Sequence, residues 1–230
     1  MDPQKLAKWK KWIGDGSTEG SISRELMILA LNRQVFAGVK QIVDANSEIQ
    51  VHSSFYQVFT SNHAHSALMY IRRQVDRHPD SVSLMNFPLD LRGNHELITQ
   101  NYYVSLYTQD AVDEVDLENR TRWGESDFEE YFGSPIEGHI NPGIFDADIK
   151  SLDSVSTNIK SFVDQRLAHL DKHKPDRVPK LDELESACDT LGNILKKYIL
   201  LLDAKDYQIA PVLQHDWKAI FRVPWLRDDI

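Results

Sequence analysis

Cysteine is almost absent from this sequence, because Cys188 is the single one in 230 residues. An intrachain disulfide and a cysteine-based zinc cluster are therefore excluded. No run of about 18 apolar residues occurs, so we expect no membrane span. Residues 1–16 also lack the long apolar core of a signal peptide. The expected location is the reducing cytoplasm.

Positive charge is also scarce. The chain has 26 Lys and Arg against 35 Asp and Glu, which gives a net charge of −9 and a pI near 5.4. Extensive binding to nucleic acid requires many cationic groups that neutralise phosphates, so a general RNA or DNA coat protein is excluded. A local basic groove remains compatible with this balance. The hydrophobic content of 41% is sufficient for one globular domain over residues 1–230.

Glycine and proline are few, at 10 and 9, and the spacing of apolar residues between them is mostly helical. This pattern predicts an all-α bundle without a sheet of consequence. Long helices are predicted over 23–45, 51–77, 146–173 and 182–203, and the second of them should be largely buried. A short proline-bearing connection joins the last two, so we expect them to pack antiparallel. A short Trp-bearing helix is predicted over 4–13.

The middle of the chain is predicted to be less regular. A short helix should end near Pro88, and another should cover 95–107. Residues 109–143 are crowded with Asp and Glu and end in an Asn-Pro-Gly turn, so we interpret them as an acidic, partly ordered excursion. Such a segment is typical of a solvated loop, although its aromatic residues indicate that part of it docks onto another surface.

The stretch "SFVDQRLAHLDKHK" (161–174) places Arg166, His169 and His173 on one side of a predicted helix. Arg166 falls within the apolar arc of that helix. A charge on a packing face is costly unless it meets a partner or a polar cavity. Two interpretations are open: a structural ion pair with a neighbouring helix, or a site for an anionic ligand.

A second cationic stretch, "YIRRQVDRH" (70–78), contains Arg73 and His78 at the end of a predicted helix. Arg73 continues the line of Phe55, Asn62 and Met69, which predicts that it faces the interior. Two inward arginines on different helices, each near histidines, could converge on one anionic site. Phosphate suits such a forked pair best.

The pairing of "IRRQVDRHPDSVSL" (71–84) with the stretch over 164–202, together with the closing "DWKAIFRVPW" (216–225), resembles the abortive-infection branch of the HEPN superfamily. The resemblance covers the main helices, with the acidic excursion and the Trp-bearing start outside it. It implies an all-α homodimer that cleaves RNA without a metal ion or cofactor, in a toxin or phage-defence role. It further implies an antitoxin protein as a partner.

The signature of that superfamily is an Arg followed by a His after four to six intervening positions. Here it occurs from Arg73 to His78 with four residues between, and from Arg72 to His78 with five. It also occurs from Arg166 to His173 with six residues between. This second match has the better position in the order of the helices. The resemblance thus implies that Arg73, His78, Arg166, His169 and His173 are catalytic candidates.

One position departs from the family pattern. The commonest form places an Arg ahead of His169 by four intervening residues, and this chain has Asp164 there. Either the site is not competent, or Arg73 supplies the missing guanidinium. In the implied reaction the ribose 2′-OH attacks its own phosphate, a His transfers the proton, and an Arg stabilises the extra charge. The alternative is a non-catalytic HEPN-like protein that binds a protein or nucleotide.

Overall fold

The fold is a helical bundle, seen in a computed structural model that describes residues 2–50, 54–167, 177–213 and 216–224. Helices of all types account for 72% of the described residues, and no sheet forms among them. The prediction of an all-α fold is therefore confirmed. The α-helices are α1 (Pro3–Ile13), α2 (Ile22–Ala45), α3 (Ser54–Gln74), α4 (Asn86–Arg92), α5 (Gln100–Thr108), α6 (Glu114–Phe132), α7 (Gly143–Phe162) and α8 (Leu181–Asp203).

Helices α7 and α8 pack antiparallel, as the short connection between them predicted. Near the start of α7, Asp148 contacts Lys197 late in α8. Near the end of α7, Asn158 donates a hydrogen bond to Glu183 at the start of α8, with Nδ2 and Oε1 3.3 Å apart. The order of these contacts reverses along α8, so the two helices run in opposite directions.

Helix α8 is the centre of the core and contacts α1, α2, α3, α5 and α7. Its apolar residues recur at helical spacing, so that one broad stripe is buried. The buried residues of α8 are Leu184, Ala187, Cys188, Leu191, Ile194, Leu195, Tyr198, Ile199, Leu201 and Leu202. The bundle is therefore built around a helix that the sequence pattern had identified over 182–203.

Three details of the predicted helices were wrong. The side chain of Phe55 in α3 is 62% exposed and that of Val58 is 57% exposed, because α3 buries mainly its last turns. Pro88 does not end a helix but lies in the first turn of α4, where its missing N–H costs nothing. The predicted helix over 95–107 divides into a 3₁₀ turn at His95–Leu97 and α5.

The acidic segment contains an ordered helix, α6, which packs on α5. Phe128 and Phe132 are buried against Tyr103 with ring centroids 5.5–5.6 Å apart, so the predicted docking of aromatic residues is confirmed for these two. At Gly124 an added Cβ would lie 3.1 Å from Val104 Cα, and the absence of a side chain allows α6 to approach α5 closely. The solvated-loop interpretation does not hold for Glu114–Phe132.

Helix α2 is long and apolar enough to cross a membrane by length and composition, with a mean hydropathy of 1.2 over its most apolar window. In this structure 28% of that window is buried. Core helices of soluble proteins meet the same two criteria. The absence of a membrane span therefore stays a prediction.

Candidate functional site

The two cationic stretches meet where the end of α3 packs on the end of α7. The Nε of Arg72 donates a hydrogen bond to Asp164 Oδ1 at 2.7 Å. The Nη1 of the same guanidinium lies 3.3 Å from Asp76 Oδ1, one turn further along the chain. Arg72 is partly buried, with 23% of its side chain exposed. One guanidinium is thus fixed against the segment that precedes His169.

Asp164 belongs to an irregular part of the chain. After Phe162 the α-helix gives way to a π-helical turn at Val163–Leu167. Turns of this type are rare and are frequently found at functional sites, because the wider turn re-aims the side chains that follow. Val163 is buried in the core, whereas Arg166 is half-buried on the same turn. The turn therefore orients Asp164 and Arg166 differently from the uninterrupted helix that the sequence predicted.

A polar cavity of about 490 Å³ lies at this junction. Its floor includes the apolar groups of Met69, Val82 and Val163. Its polar lining is supplied by α3, by the loop that follows and by the π-helical turn, and consists of Arg72, Arg73, Asp76, Ser81 and Asp164. A second cavity of about 340 Å³, lined by Arg77, Lys160 and Asp164 among others, adjoins it through Asp164.

The charges in the first cavity hold one another in place. Burial lowers the pKa of Arg72, but the hydrogen bond and the charge of Asp164 outweigh this effect and raise it overall. Burial raises the pKa of Asp76, yet hydrogen bonds from Ser81 and Arg72 lower it below its ordinary value of 3.8. Both groups are therefore charged at neutral pH, and Arg72 is held rigidly between two carboxylates.

The lowered pKa of Asp76 predicts a pH-dependent contribution to stability. A carboxylate whose folded-state pKa lies below its unfolded value stabilises the fold above the unfolded pKa. That contribution is lost as the pH falls through the folded-state pKa. Asp76→Asn should therefore melt at a lower temperature than the wild type at neutral pH, and the difference should shrink below pH 3.8 and vanish once the pH is below the folded-state pKa. Thermal melting followed by circular dichroism measures it, and a difference that persists in acid would contradict this origin.

Arg73 does not face the interior, and that prediction was wrong. Its side chain is 53% exposed, pairs with Glu25 of α2 and lies over the ring of Tyr70 at 4.7 Å. The residues whose helical spacing predicted its orientation face the solvent themselves, since Phe55 is 62% exposed and Met69 is 39% exposed. Arg73 still lines the rim of the 490 Å³ cavity, but its neighbour Arg72 makes the contact with Asp164.

His78 lies in the turn after α3 and is exposed, with its Nδ1 3.3 Å from the backbone nitrogen of Asp80. It is not among the described residues that line either cavity. Its carbonyl oxygen accepts a hydrogen bond from Asn86 Nδ2 at 2.7 Å, which organises the loop. The structure therefore does not bring the His78 side chain to Asp164.

The other two candidate histidines, His169 and His173, lie outside the described residues. Arg166 is described, and it makes no ion pair with any residue in the described ranges. The assignment of these three residues to catalysis stays a prediction. Asp164, which precedes them in the chain, lies next to Arg72.

Sequence reasoning named Arg72 only as part of an Arg-to-His match and did not select it for the site, and it missed Asp76 and Ser81, which also line the cavity. The sequence did indicate where the Arg72 side chain lies on the helix, because Arg72 follows the buried Ile71 and lies four residues after the buried Leu68. That position is at the margin of the buried face, where a long side chain can reach across to the next helix. No signal could have found Ser81, because the loop that carries it is folded back by a hydrogen bond from Ser83 to the carbonyl of Asp76.

No arrangement for a metal ion is found in residues 2–50, 54–167, 177–213 and 216–224, where no group of three or more His, Cys, Asp and Glu is suitably placed. The cavity is lined by two guanidinium groups and two carboxylates, and of these the guanidinium groups suit an anion. That the chain works without a metal or cofactor stays a prediction.

Comparison with known proteins identifies one family. A family model described as AbiU2, of the HEPN superfamily, matches residues 21–220. The match includes the acidic segment, so the expectation that 109–143 falls outside the resemblance was wrong. Helix α1 lies outside the match. No curated protein and no solved structure matches the chain.

Proposed function

This chain belongs to the AbiU2 family of the HEPN superfamily, which is associated with abortive infection, and from this premise we propose that it is a metal-independent endoribonuclease. Its role would be that of a toxin or phage-defence effector that cleaves cellular or phage RNA. The reaction is attack of a ribose 2′-OH on the adjacent phosphate, with departure of the 5′-oxygen. The catalytic groups would be Arg72, Arg166 and His169, with His173 as a further candidate.

The contact between Arg72 and Asp164 carries this proposal. The common family pattern has an arginine four intervening residues ahead of the histidine, and here that position is Asp164. The Nε of Arg72, from another helix, lies 2.7 Å from the Asp164 carboxylate. A guanidinium from another helix thus lies beside the position at which the pattern has an arginine. Arg72, and not Arg73, is the arginine that we assign to this role.

Arg72 retains hydrogen-bonding capacity for a phosphate. A guanidinium has five N–H donors. Asp164 takes the donor on Nε and Asp76 takes one on Nη1, so the two donors of Nη2 make no hydrogen bond to the described residues. A planar fork fixed by two carboxylates binds the non-bridging oxygens of a phosphate with little loss of entropy. Its charge would stabilise the pentacoordinate phosphorane.

His169 would perform the proton transfer. An unperturbed histidine has a pKa near 6.5, so it can accept the 2′-OH proton or donate one to the 5′-oxygen at neutral pH. Arg166, two positions after Asp164, would contact a second non-bridging oxygen. The net charge of −9 does not conflict with this role, because only a few cationic groups are needed at the phosphate.

A non-catalytic role is the second candidate, and a specific observation favours it. The three arginines near the end of α3 all form ion pairs: Arg72 with Asp164, Arg73 with Glu25 and Arg77 with Asp153. In that case the arginines hold helices together, and the family fold binds a protein or nucleotide partner. Both candidates are compatible with a cytoplasmic homodimer and with an antitoxin protein as a partner.

Cleavage of RNA in the presence of EDTA tests the proposal. The purified protein should cleave tRNA or single-stranded RNA with EDTA present, and His169→Ala should abolish cleavage and growth toxicity without a change in the melting temperature. His65→Ala is the matched control, because His65 is exposed on α3 and outside both cavities. Cleavage that EDTA stops, or that survives in His169→Ala, would refute the proposal.

A further inference from the structure

The second cavity lies in the groove between α3 and α7, with an ion pair at each end. At one end the Nε of Arg72 donates a hydrogen bond to Asp164 Oδ1 at 2.7 Å. At the other end the Nη2 of Arg77, in the loop after α3, contacts both carboxylate oxygens of Asp153 at 2.7 and 2.9 Å. Along α7 and the π-helical turn that continues it, the two carboxylates are about three turns apart, or roughly 16 Å. The cavity of about 340 Å³ between them is therefore bounded by paired charges at both ends.

Lys160 contributes a positive charge to this cavity that no carboxylate neutralises. Its side chain lines the cavity and makes no ion pair or hydrogen bond with the described residues. Two carboxylates, Asp153 and Asp164, line the cavity with it, and each already accepts hydrogen bonds from an arginine. A lysine that precedes an acid by four residues, as Lys160 precedes Asp164, has the less favourable orientation for an ion pair on a helix. Its three N–H donors are therefore available to a ligand.

Two further groups add hydrogen-bond donors to the cavity. Ser161 lines it, and the hydroxyl of Ser161 makes no hydrogen bond to the described residues. The Nε and Nη1 of Arg77 are likewise without an acceptor among those residues, since its contacts across the groove use Nη2 alone. By contrast, the hydroxyls of Ser156 and Thr157 donate to carbonyls of α7. The unused donors are thus an ammonium, a hydroxyl and a guanidinium group, a set that suits phosphate.

The second cavity is about one helical turn from the first. Asp164 lines both cavities, and Lys160 precedes it by about one turn, or roughly 6 Å along the axis. Arg72 contacts the same carboxylate from the other helix. Consecutive phosphates of a nucleic-acid strand are separated by a distance of the same order. Proteins that bind single strands do so with a positively charged groove that follows the backbone. Two adjacent anion sites therefore favour a strand with several phosphates over a free phosphate.

We propose that the second cavity, through Lys160, Ser161 and Arg77, binds the phosphate next to the one that Arg72 holds. This subsite rests on the proposed ribonuclease function, and it narrows the substrate to a single strand of RNA with two or more consecutive phosphates. Lys160 is a substrate-binding residue and not a catalytic one, because it contacts the neighbouring phosphate and not the one that is cleaved. Its ammonium group holds the strand in register while the reaction takes place at Arg72.

Short oligonucleotides with one and two phosphates test the subsite. The probes are a 2′-O-methylated RNA dinucleotide and trinucleotide without terminal phosphates, which cannot be cleaved because their 2′-oxygens are blocked. NMR titration of the full-length protein at low salt should show that the trinucleotide binds about five- to tenfold more tightly than the dinucleotide. A trinucleotide in which either linkage is a neutral methylphosphonate should bind like the dinucleotide, which separates the effect of the second phosphate from that of the third base.

Variants of two lysines on α7 locate the effect. Lys160→Gln should remove the advantage of the trinucleotide, and Lys160→Arg, which keeps the charge, should retain most of it. Lys150→Gln is the matched control, because Lys150 is exposed on the same helix and borders a different cavity, against α8. It should leave the advantage within about twofold, since its charge is screened by salt. Circular dichroism verifies that each variant is folded.

Three results would overturn the subsite: no advantage of the trinucleotide in the wild type, an advantage that persists in Lys160→Gln, and an equal loss in Lys150→Gln. Cleavage is measured separately with a cleavable RNA, for which Lys160→Gln should raise KM and leave kcat unchanged. Binding that depends on Lys160 without any cleavage would support the subsite and refute the ribonuclease. Cleavage by a wild type whose trinucleotide advantage persists in Lys160→Gln would refute the subsite alone.

Discussion

Replacing Arg72 with alanine is expected to lower the rate of RNA cleavage by about a hundred- to a thousandfold, which corresponds to about 2.7–4 kcal/mol of transition-state stabilisation. The reason is the position of its guanidinium, which Asp164 and Asp76 fix at the start of the segment that leads to His169. The loss should appear in kcat, because the charge that Arg72 stabilises develops only in the transition state. Single-turnover cleavage of a short RNA measures it.

The adjacent Arg73 supplies a matched control. It is exposed, pairs with Glu25 and has no hydrogen bond to Asp164. Arg73→Ala removes the same charge from the same helix and should change the cleavage rate by less than about threefold, because its charge is screened by solvent. A loss of activity that is as large in Arg73→Ala as in Arg72→Ala would contradict the assignment. A large drop in melting temperature with unchanged cleavage in Arg72→Ala would favour the structural role.

A second large effect concerns stability. Asp148 of α7 is 6% exposed and accepts hydrogen bonds from the hydroxyl of Tyr198 and from Lys197 Nζ. Burial and the charge of Asp148 raise the pKa of Tyr198 well above its ordinary value, so the hydroxyl remains a donor. Asp148→Ala would leave both groups of α8 without their acceptor at the centre of the bundle.

We expect Asp148→Ala to reduce the free energy of unfolding by about 3–5 kcal/mol. For a chain of this size the melting temperature should fall by about 6–20 °C. Asp148→Asn is the matched variant, since its amide oxygen can still accept from Tyr198, and it should lose less. Calorimetry measures both, and equal melting of Asp148→Ala and the wild type would show that the network adds nothing to stability.

The fold was largely predictable because its signal is periodic. The stripe of α8 repeats at helical spacing over 182–203, and the structure has this helix at Leu181–Asp203. The packing of one helix on another was less predictable than the helices themselves. The pattern of α3 predicted a largely buried helix, yet Phe55 and Val58 are exposed, and in the first half of α3 it is Phe59 that stacks on Phe36 of α2. Periodicity shows which residues share a face but not what covers that face.

The candidate site was predicted in region but not in detail. The sequence indicated that the stretches 70–78 and 161–174 converge, and they do so through Arg72 and Asp164. The prediction that Arg73 faces the interior was wrong, and Arg72, one residue earlier and rotated by about 100° on the helix, makes the contact with Asp164. The spacing of apolar residues did not indicate the π-helical turn at Val163–Leu167. The spacing of apolar residues cannot distinguish two orientations of a helix that differ by one residue.

The most direct test of the central claim exchanges the two charges. In the double variant Arg72→Asp/Asp164→Arg the ion pair is kept, and the guanidinium moves to the position that the common family pattern gives it. If a guanidinium at this place is what catalysis requires, Arg72→Asp should cleave RNA about a hundredfold more slowly or worse, and the double variant, which again has a guanidinium there, should recover most of the wild-type rate. Measured with EDTA present, recovery in the double variant is the predicted result. A double variant that folds and melts like the wild type but cleaves no faster than Arg72→Asp would contradict the account.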